Sequence, residues 1–146
     1  MEISSVIPTK KTLGVLKKFH KKCFNGTNAF EDFPFPKDRC YLAKIGDELM
    51  GMGMLHMSSP QEYFSSEYKI KEHMYLYNFC IHPDYQNKNY GKRLFEFIKK
   101  DNKELNLSVD KNSIGVIKFY LKVNCRILGK YNDTWICLTT QKNEVA

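Results

Sequence analysis

Arginine is nearly missing from this chain: of 23 basic residues only Arg39, Arg93 and Arg126 are Arg, and the rest are Lys. Guanidinium is the group that reads base edges and grips phosphates bidentately. The net charge of +7 therefore argues for a small phosphate-bearing partner, or for plain solvation of scattered lysines, and against a nucleic-acid reader. Long apolar runs are also absent. No stretch reaches the roughly 18 residues of a membrane span, and the opening MEISSVIPTKK has no signal-like apolar segment, so no membrane partner is expected. Cysteine is present in a number and spacing that do not cross-link. Cys23, Cys40, Cys80, Cys125 and Cys137 make an odd count without Cys-x-x-Cys, which excludes a disulfide framework and a zinc ribbon. Most lie among apolar residues, where a thiol acts as a small hydrophobe, and a reducing, cytoplasmic (or nuclear) setting follows. His20, His56, His73 and His82 lack metal-ligand spacing, so no metal is expected. The nucleotide P-loop pattern Gly-x-x-x-x-Gly-Lys-Ser/Thr is missing too.

What is present is a globular composition, 42% apolar, in 146 residues. Such a chain buries about two-thirds of its unfolded surface and needs no staple. A single domain over 1–146 is expected, without repeats or linkers. Residues 1–7 read as a short strand. Pro8 and Thr9 then open a helix in which Leu13, Leu16, Phe19, His20 and Cys23 recur at helical spacing, with lysines on the wet side, until Asn25-Gly26 stops it. Residues 27–38, rich in Phe and Pro, read as a loop or short helix. Residues 39–45 and 49–57 form a hairpin about Gly46-Asp47-Glu48. Residues 58–72 form a long polar connection. The run YLYNFCI at 75–81 suits a strand covered on both faces. His82-Pro83-Asp84 ends it, and a helix with Leu94, Phe95, Phe97 and Ile98 on its apolar side follows. Then come a strand at 105–109, a helix capped by Asn112, and strands at 125–129 and 134–139. The βαβ unit of 75–81, 91–101 and 105–109 is expected to be parallel and right-handed.

The chemistry concentrates at 81–94, Ile-His-Pro-Asp-Tyr-Gln-Asn-Lys-Asn-Tyr-Gly-Lys-Arg-Leu. A strand runs through a short loop into a helix start, where exposed N–H groups and the positive dipole end favour an anion. Lys88, Lys92 and Arg93 add charge, and a diphosphate is the natural occupant. On this loop alone a solvated turn is an equal alternative. One strand later comes Val109-x-x-Asn112-x-x-Gly115-x-x-x-Phe119-Tyr120-x-x-Val123-Asn124-Cys125.

Together these segments resemble the GNAT superfamily of acyl-CoA N-acyltransferases. Its first motif ends in Gln/Arg-x-x-Gly-x-Gly/Ala, matched by Gln86, Asn89 and Gly91. Its later motif, Asn-x-x-Ala-x-x-x-Leu/Phe-Tyr-x-x-Leu-Gly-Phe, is matched by Asn112, Gly115, Phe119, Tyr120, Val123, Asn124 and Cys125. The departures are Asn89 for Gly, Gly115 for Ala and Asn124-Cys125 for Gly-Phe. Asn tolerates the left-handed backbone second only to Gly, so the geometry survives its substitution for glycine.

The resemblance implies an α/β (α+β) fold: a mixed, mostly antiparallel twisted sheet of six to seven strands, helices on both faces, and a splayed parallel central pair. It implies an N-acetyltransferase that uses acetyl-CoA, without a metal, on an amine-bearing acceptor, as a monomer or homodimer. The pantetheine arm then lies along the backbone of Phe79, Cys80 and Ile81, with an oxyanion donor at the N–H of Ile81 or beside a bulge. The diphosphate lies on Gln86, Asn87, Lys88, Asn89, Tyr90, Gly91 and Lys92. Asn112 reaches the pantetheine or serves only as a cap. Gly115 makes room for cofactor or is simply tolerated, at about 1 kcal/mol in a helix. Phe119 lines the cofactor, and Tyr120 is the general acid for the CoA thiolate, or else a core aromatic. The base stays open among His73, His56, Glu72 and a water chain. A nucleophile at Cys80 is a further alternative, though the family transfers directly. The runner-up function is a non-catalytic acyl-CoA-binding module, motivated by the missing carboxylate on 75–81. The loops 24–38 and 58–72 are expected to shape the acceptor site.

Overall fold

The computed structural model describes residues 1–24, 39–58, 73–102, 104–131 and 133–141. In chain order they form β1 (Glu2–Val6), α1 (Lys10–Cys23), β2 (Arg39–Ile45), β3 (Glu48–Ser58), β4 (His73–Ile81), a one-turn 3-10 helix (Pro83–Tyr85), α2 (Tyr90–Asp101), β5 (Leu105–Asp110), α3 (Ile114–Lys122), β6 (Arg126–Tyr131) and β7 (Trp135–Thr139). The Asn25-Gly26 stop, the 27–38 segment and nearly all of 58–72 lie outside the described residues.

The strands hydrogen-bond in the order β1-β2-β3-β4-β5-β7-β6. The pairs β1/β2, β2/β3, β5/β7 and β6/β7 are antiparallel, and β4/β5 is parallel. This is the mixed sheet with a parallel central pair that the sequence implies. The parallel ladder joins Met74 to Leu105 and Tyr75 to Asn106, with no further rung among the described residues, although β4 runs on to Ile81 and β5 to Asp110.

The chain divides into two compact units, Met1–His56 with Leu76–Ile98, and Met57–Tyr75 with Lys99–Ala146. In the first, Thr9 caps α1 by accepting from the Thr12 N–H, and Leu16, Phe19, His20 and Cys23 are buried at helical spacing while the lysines stay exposed. Helix α2 buries Leu94, Phe95 and Ile98. Each such burial contributes roughly 1.5–3 kcal/mol. The two helices take opposite faces of the sheet. A Cβ on Gly51 would lie 2.7 Å from Ile81 Cδ1 and 3.3 Å from Leu94, and one on Gly53 would lie 2.9 Å from Ile98 Cδ1. These glycines let α2 sit close on the backbone of β3. On the other face, the Cys80 thiol meets that of Cys23 at the end of α1, with Cys40 nearby. The β2–β3 hairpin turns on Gly46-Asp47, with Gly46 at φ +59° and Ile45 opposite Glu48.

In the second unit, Leu105, Leu107, Cys137 and Leu138 are fully or nearly fully buried. The Leu105 N–H donates to Thr140 Oγ1 at 2.8 Å, and the Thr140 N–H returns a bond to the Leu105 carbonyl at 2.9 Å. The expected cap of α3 needs correction. Ser113, not Asn112, holds the N-cap, and it makes no side-chain cap bond. The cause lies two residues upstream of Asn112. Asp110 Oδ1 accepts the Asn112 N–H at 2.8 Å, and the Asp110 carbonyl accepts from Ser113 at 2.9 Å. This Asx-type turn delays the helix by one residue. No helix among the described residues is long and apolar enough to cross a membrane.

Candidate active site

In the first unit the site starts with an irregularity in β4. Leu76 and Phe79 both face α2, where each approaches the position of a Gly53 Cβ. In a regular strand, residues three apart face opposite ways. The mismatch is absorbed at Asn78, which has φ +50° and whose Nδ2 donates to Met54 Sδ at 3.5 Å. This is a β-bulge, which takes a residue out of the ladder beside a turn of the strand. Beyond it, Phe79 is half-buried and stands edge-on to Phe95 at 6.2 Å, and Cys80 and Ile81 are buried.

The strand ends with the His82 N–H on the Met50 carbonyl at 2.8 Å. His82 Nδ1 accepts the Asp84 N–H at 3.1 Å and so starts the 3-10 turn. Gln86 folds back, its Nε2 donating 2.9 Å to the Ile81 carbonyl, and so ties the loop to the strand. Asn87 and Asn89 then take left-handed backbone at φ +62° and +65°. Turns of that kind gather successive N–H groups into anion-binding concavities. The Asn89 carbonyl accepts the first helical bond from Arg93 at 3.1 Å, so the N–H groups of Tyr90, Gly91 and Lys92 have no partner within the helix. The first turn of α2 holds no acidic residue. Lys88, Lys92 and Arg93 are exposed. An aromatic ladder braces the loop: Tyr85 against Tyr90 at 6.0 Å, the Arg93 guanidinium 6.0 Å over the Tyr90 ring, and the Tyr85 hydroxyl donating to Glu48 at 3.2 Å. Backbone donors, helix dipole and lysine charge together fit a diphosphate.

Burial, with the Cys23 and Cys40 thiols alongside, holds the Cys80 thiol well above the usual thiol range. Only thiolate is a useful nucleophile, so a covalent step at Cys80 finds no support. The same burial pushes Cys40 up to about 12. All five cysteines are free thiols. Of the candidate bases, His56 is buried on β3, while Glu72 and the side chain of His73 lie outside the described residues. No group of His, Cys, Asp and Glu among the described residues could hold a metal.

The second unit carries the later motif. Asn112 and Gly115 are exposed at the start of α3. A Cβ on Gly115 would meet nothing within 4 Å, so packing within the chain does not call for glycine there. Phe119 and Tyr120 sit ring to ring at 5.2 Å; Tyr120 is 5% exposed, and its carbonyl accepts from the Cys125 N–H at 3.0 Å. Asn124, standing in a family glycine position, has φ +70°. Both Asn-for-Gly departures thus keep a glycine-like backbone.

The model of the Acetyltransferase (GNAT) family matches residues 12–124. No curated protein matches the chain. Among solved structures, the PaiA N-acetyltransferase of Thermoplasma acidophilum in complex with coenzyme A is similar, with a TM-score of 0.70 at 14% identity over 97% of this chain and 100% of that one. An aminoglycoside 6'-N-acetyltransferase complexed with coenzyme A gives 0.67 at 15% identity, over 95% and 96% of the two chains. The ribosomal-protein-S18-alanine N-acetyltransferase of Escherichia coli gives 0.65 at 12% identity, over 99% of both. At these identities the likeness is one of fold.

Proposed function

Because the chain belongs to the GNAT acetyltransferase family, we propose that it is an N-acetyltransferase, a single catalytic domain that moves an acetyl group from acetyl-CoA to a primary amine. The observation that carries this reading is the loop at 86–92, where two left-handed asparagines and an open helix start present N–H groups and lysines together. These groups would hold the CoA diphosphate, and the backbone of Phe79, Cys80 and Ile81 would line the pantetheine. Asn112, Gly115 and Phe119 would contact the same arm, as the family motif implies. Bound acetyl-CoA supplies an acyl group activated as a thioester. A backbone N–H beside the Asn78 bulge would take the charge that grows on the thioester oxygen. The amine nitrogen forms a bond to the acyl carbon as the carbon–sulfur bond breaks, and Tyr120 gives its proton to the departing sulfur. The ammonium proton leaves through His56, His73, Glu72 or water. Five free thiols suit a cytoplasmic protein.

The test is amine-dependent release of CoA thiol from acetyl-CoA over a panel of amines. A second reading, an acyl-CoA-binding module without turnover, is favoured by one observation: β4 carries Tyr75, Tyr77 and Asn78 but no carboxylate. Such a module would bind CoA and release no thiol with any amine.

Asn89 provides a check on the loop itself. Glycine takes φ +65° freely, so Asn89→Gly should keep CoA affinity or raise it. A β-branched residue there costs about 1–3 kcal/mol, and Asn89→Val should weaken CoA on the order of tenfold. Calorimetry giving one affinity for all three forms would detach this loop from CoA.

A further inference from the structure

Within the first unit, Val15, Lys18, Phe19 and Lys22 form one stripe of α1, at the spacing that puts residues on a single helix face. They line a cavity of about 300 Å³ together with Glu48 and Leu49 at the start of β3 and His82 at the end of β4. The His82 N–H on the Met50 carbonyl, at 2.8 Å, fixes that residue beside the first turn of β3. A cavity of this volume stands at the lower end of those that hold small molecules. Val15, Lys18, Lys22 and Glu48 are exposed, so solvent and solutes reach it. No residue of the 86–92 loop lines it. Its inner wall is apolar and aromatic. Phe19 is buried, Leu49 and His82 are half-buried, and the Phe19 and His82 rings stand 6.3 Å apart at an interplanar angle of 33°. Such a wall suits a flat apolar body.

The polar groups of the lining set the charge of what it holds. Lys18 and Lys22 have no ion pair or hydrogen bond among the described residues, and α1 contains no acidic residue. Like charges four residues apart on a helix repel, so the pair stands uncompensated in the free chain. His82 Nδ1 accepts the Asp84 N–H at 3.1 Å, which leaves Nε2 as the N–H donor of the neutral ring. Glu48 is the one acid of the lining, and its Oε2 already accepts the Tyr85 hydroxyl at 3.2 Å. Two ammonium groups less one carboxylate, 2 − 1, leave the lining at +1. One negative charge balances it. A cation would meet two ammonium groups, and a bare phosphate would leave the apolar wall uncovered. We infer that this cavity is a binding site for a small arylcarboxylate, whose carboxylate takes donors from Lys18, Lys22 and His82 Nε2 while its ring lies against Phe19 and Leu49. The site stands whether or not the chain transfers acetyl groups.

Benzoate and benzamide test it, since they share a shape and only benzoate carries the charge. Titrated into the full chain and followed by NMR, benzoate should bind saturably at millimolar concentration and move the ring resonances of Phe19 and His82. Benzamide should bind about tenfold more weakly or worse. Exchanging Lys18 and Lys22 together for alanine should weaken benzoate about tenfold. The melting temperature of that variant should hold or rise, because the repulsion between the two is gone. Exchanging Lys10 and Lys11 for alanine, on the same helix but outside the lining, should leave benzoate affinity within about twofold, the scale of screened distant charges. Val15→Trp, at an exposed position, should fill the cavity and abolish binding while the fold persists. Equal affinity for benzoate and benzamide, or equal losses from the two lysine pairs, would overturn the site. So would benzoate shifts confined to the backbone of 87–92, which would put the carboxylate on the diphosphate loop, or no saturable binding at all.

Discussion

Exchanging Lys88 and Lys92 together for glutamate is expected to weaken CoA binding about 30- to 100-fold. Both residues are exposed, so each attraction to a phosphate is modest, at roughly 0.2–1 kcal/mol. Reversal removes that attraction and adds a repulsion of similar size, and two such changes sum to about 2–3 kcal/mol, where 1.4 kcal/mol is tenfold. The loss should shrink as salt rises toward molar strength, because exposed charges are screened there. The double variant should fold normally, since neither lysine is buried. Calorimetry at low and high salt reads both effects. An affinity unchanged at low salt would move the diphosphate away from this loop.

Tyr120→Phe is expected to cut turnover by roughly ten- to a thousandfold, the scale of one general acid, with CoA affinity little changed. Free phenols ionise near 10 and are weak acids, but a thiolate leaving group whose conjugate acid lies near 8.5 needs a donor only as charge builds on sulfur. Tyr120 is 5% exposed and packs edge-on to Phe119. Phenylalanine keeps that ring in place and removes the hydroxyl alone, so a fall in kcat with unaltered stability would isolate the proton. Full turnover, with the chemical step limiting, would make Tyr120 a core aromatic.

The order of elements was legible because the two periods are clean in this chain. Leu16, Phe19, His20 and Cys23 repeat as a helix face, and 75–81 is a near-continuous apolar run interrupted at Asn78. The asparagines at 89 and 124 were legible as glycine substitutes because backbone tolerance is a property of the residue itself, and both are left-handed. Features that depend on tertiary approach were not legible. YLYNFCI by itself reads as an unbroken strand; the family resemblance implies a bulge near Ile81, but its place at Asn78 appears only when Leu76 and Phe79 are seen to share a face. Gly51 and Gly53 read as ordinary strand positions until α2 lies over them. Asn112 is a good cap residue by type, yet Asp110 captures its N–H and moves the helix start. The alternation Leu105-Asn106-Leu107-Ser108-Val109 suggests a wet face at Asn106, where the fold places a sealed one.

The central claim is that the backbone at 86–92 receives the CoA diphosphate, and backbone amide NMR tests it most directly. On titration with CoA, the N–H resonances of Asn87, Lys88, Asn89, Gly91 and Lys92 should move together and saturate, and 4'-phosphopantetheine, which lacks the diphosphate, should move them far less. Saturable CoA binding that leaves these resonances where they were would contradict the claim.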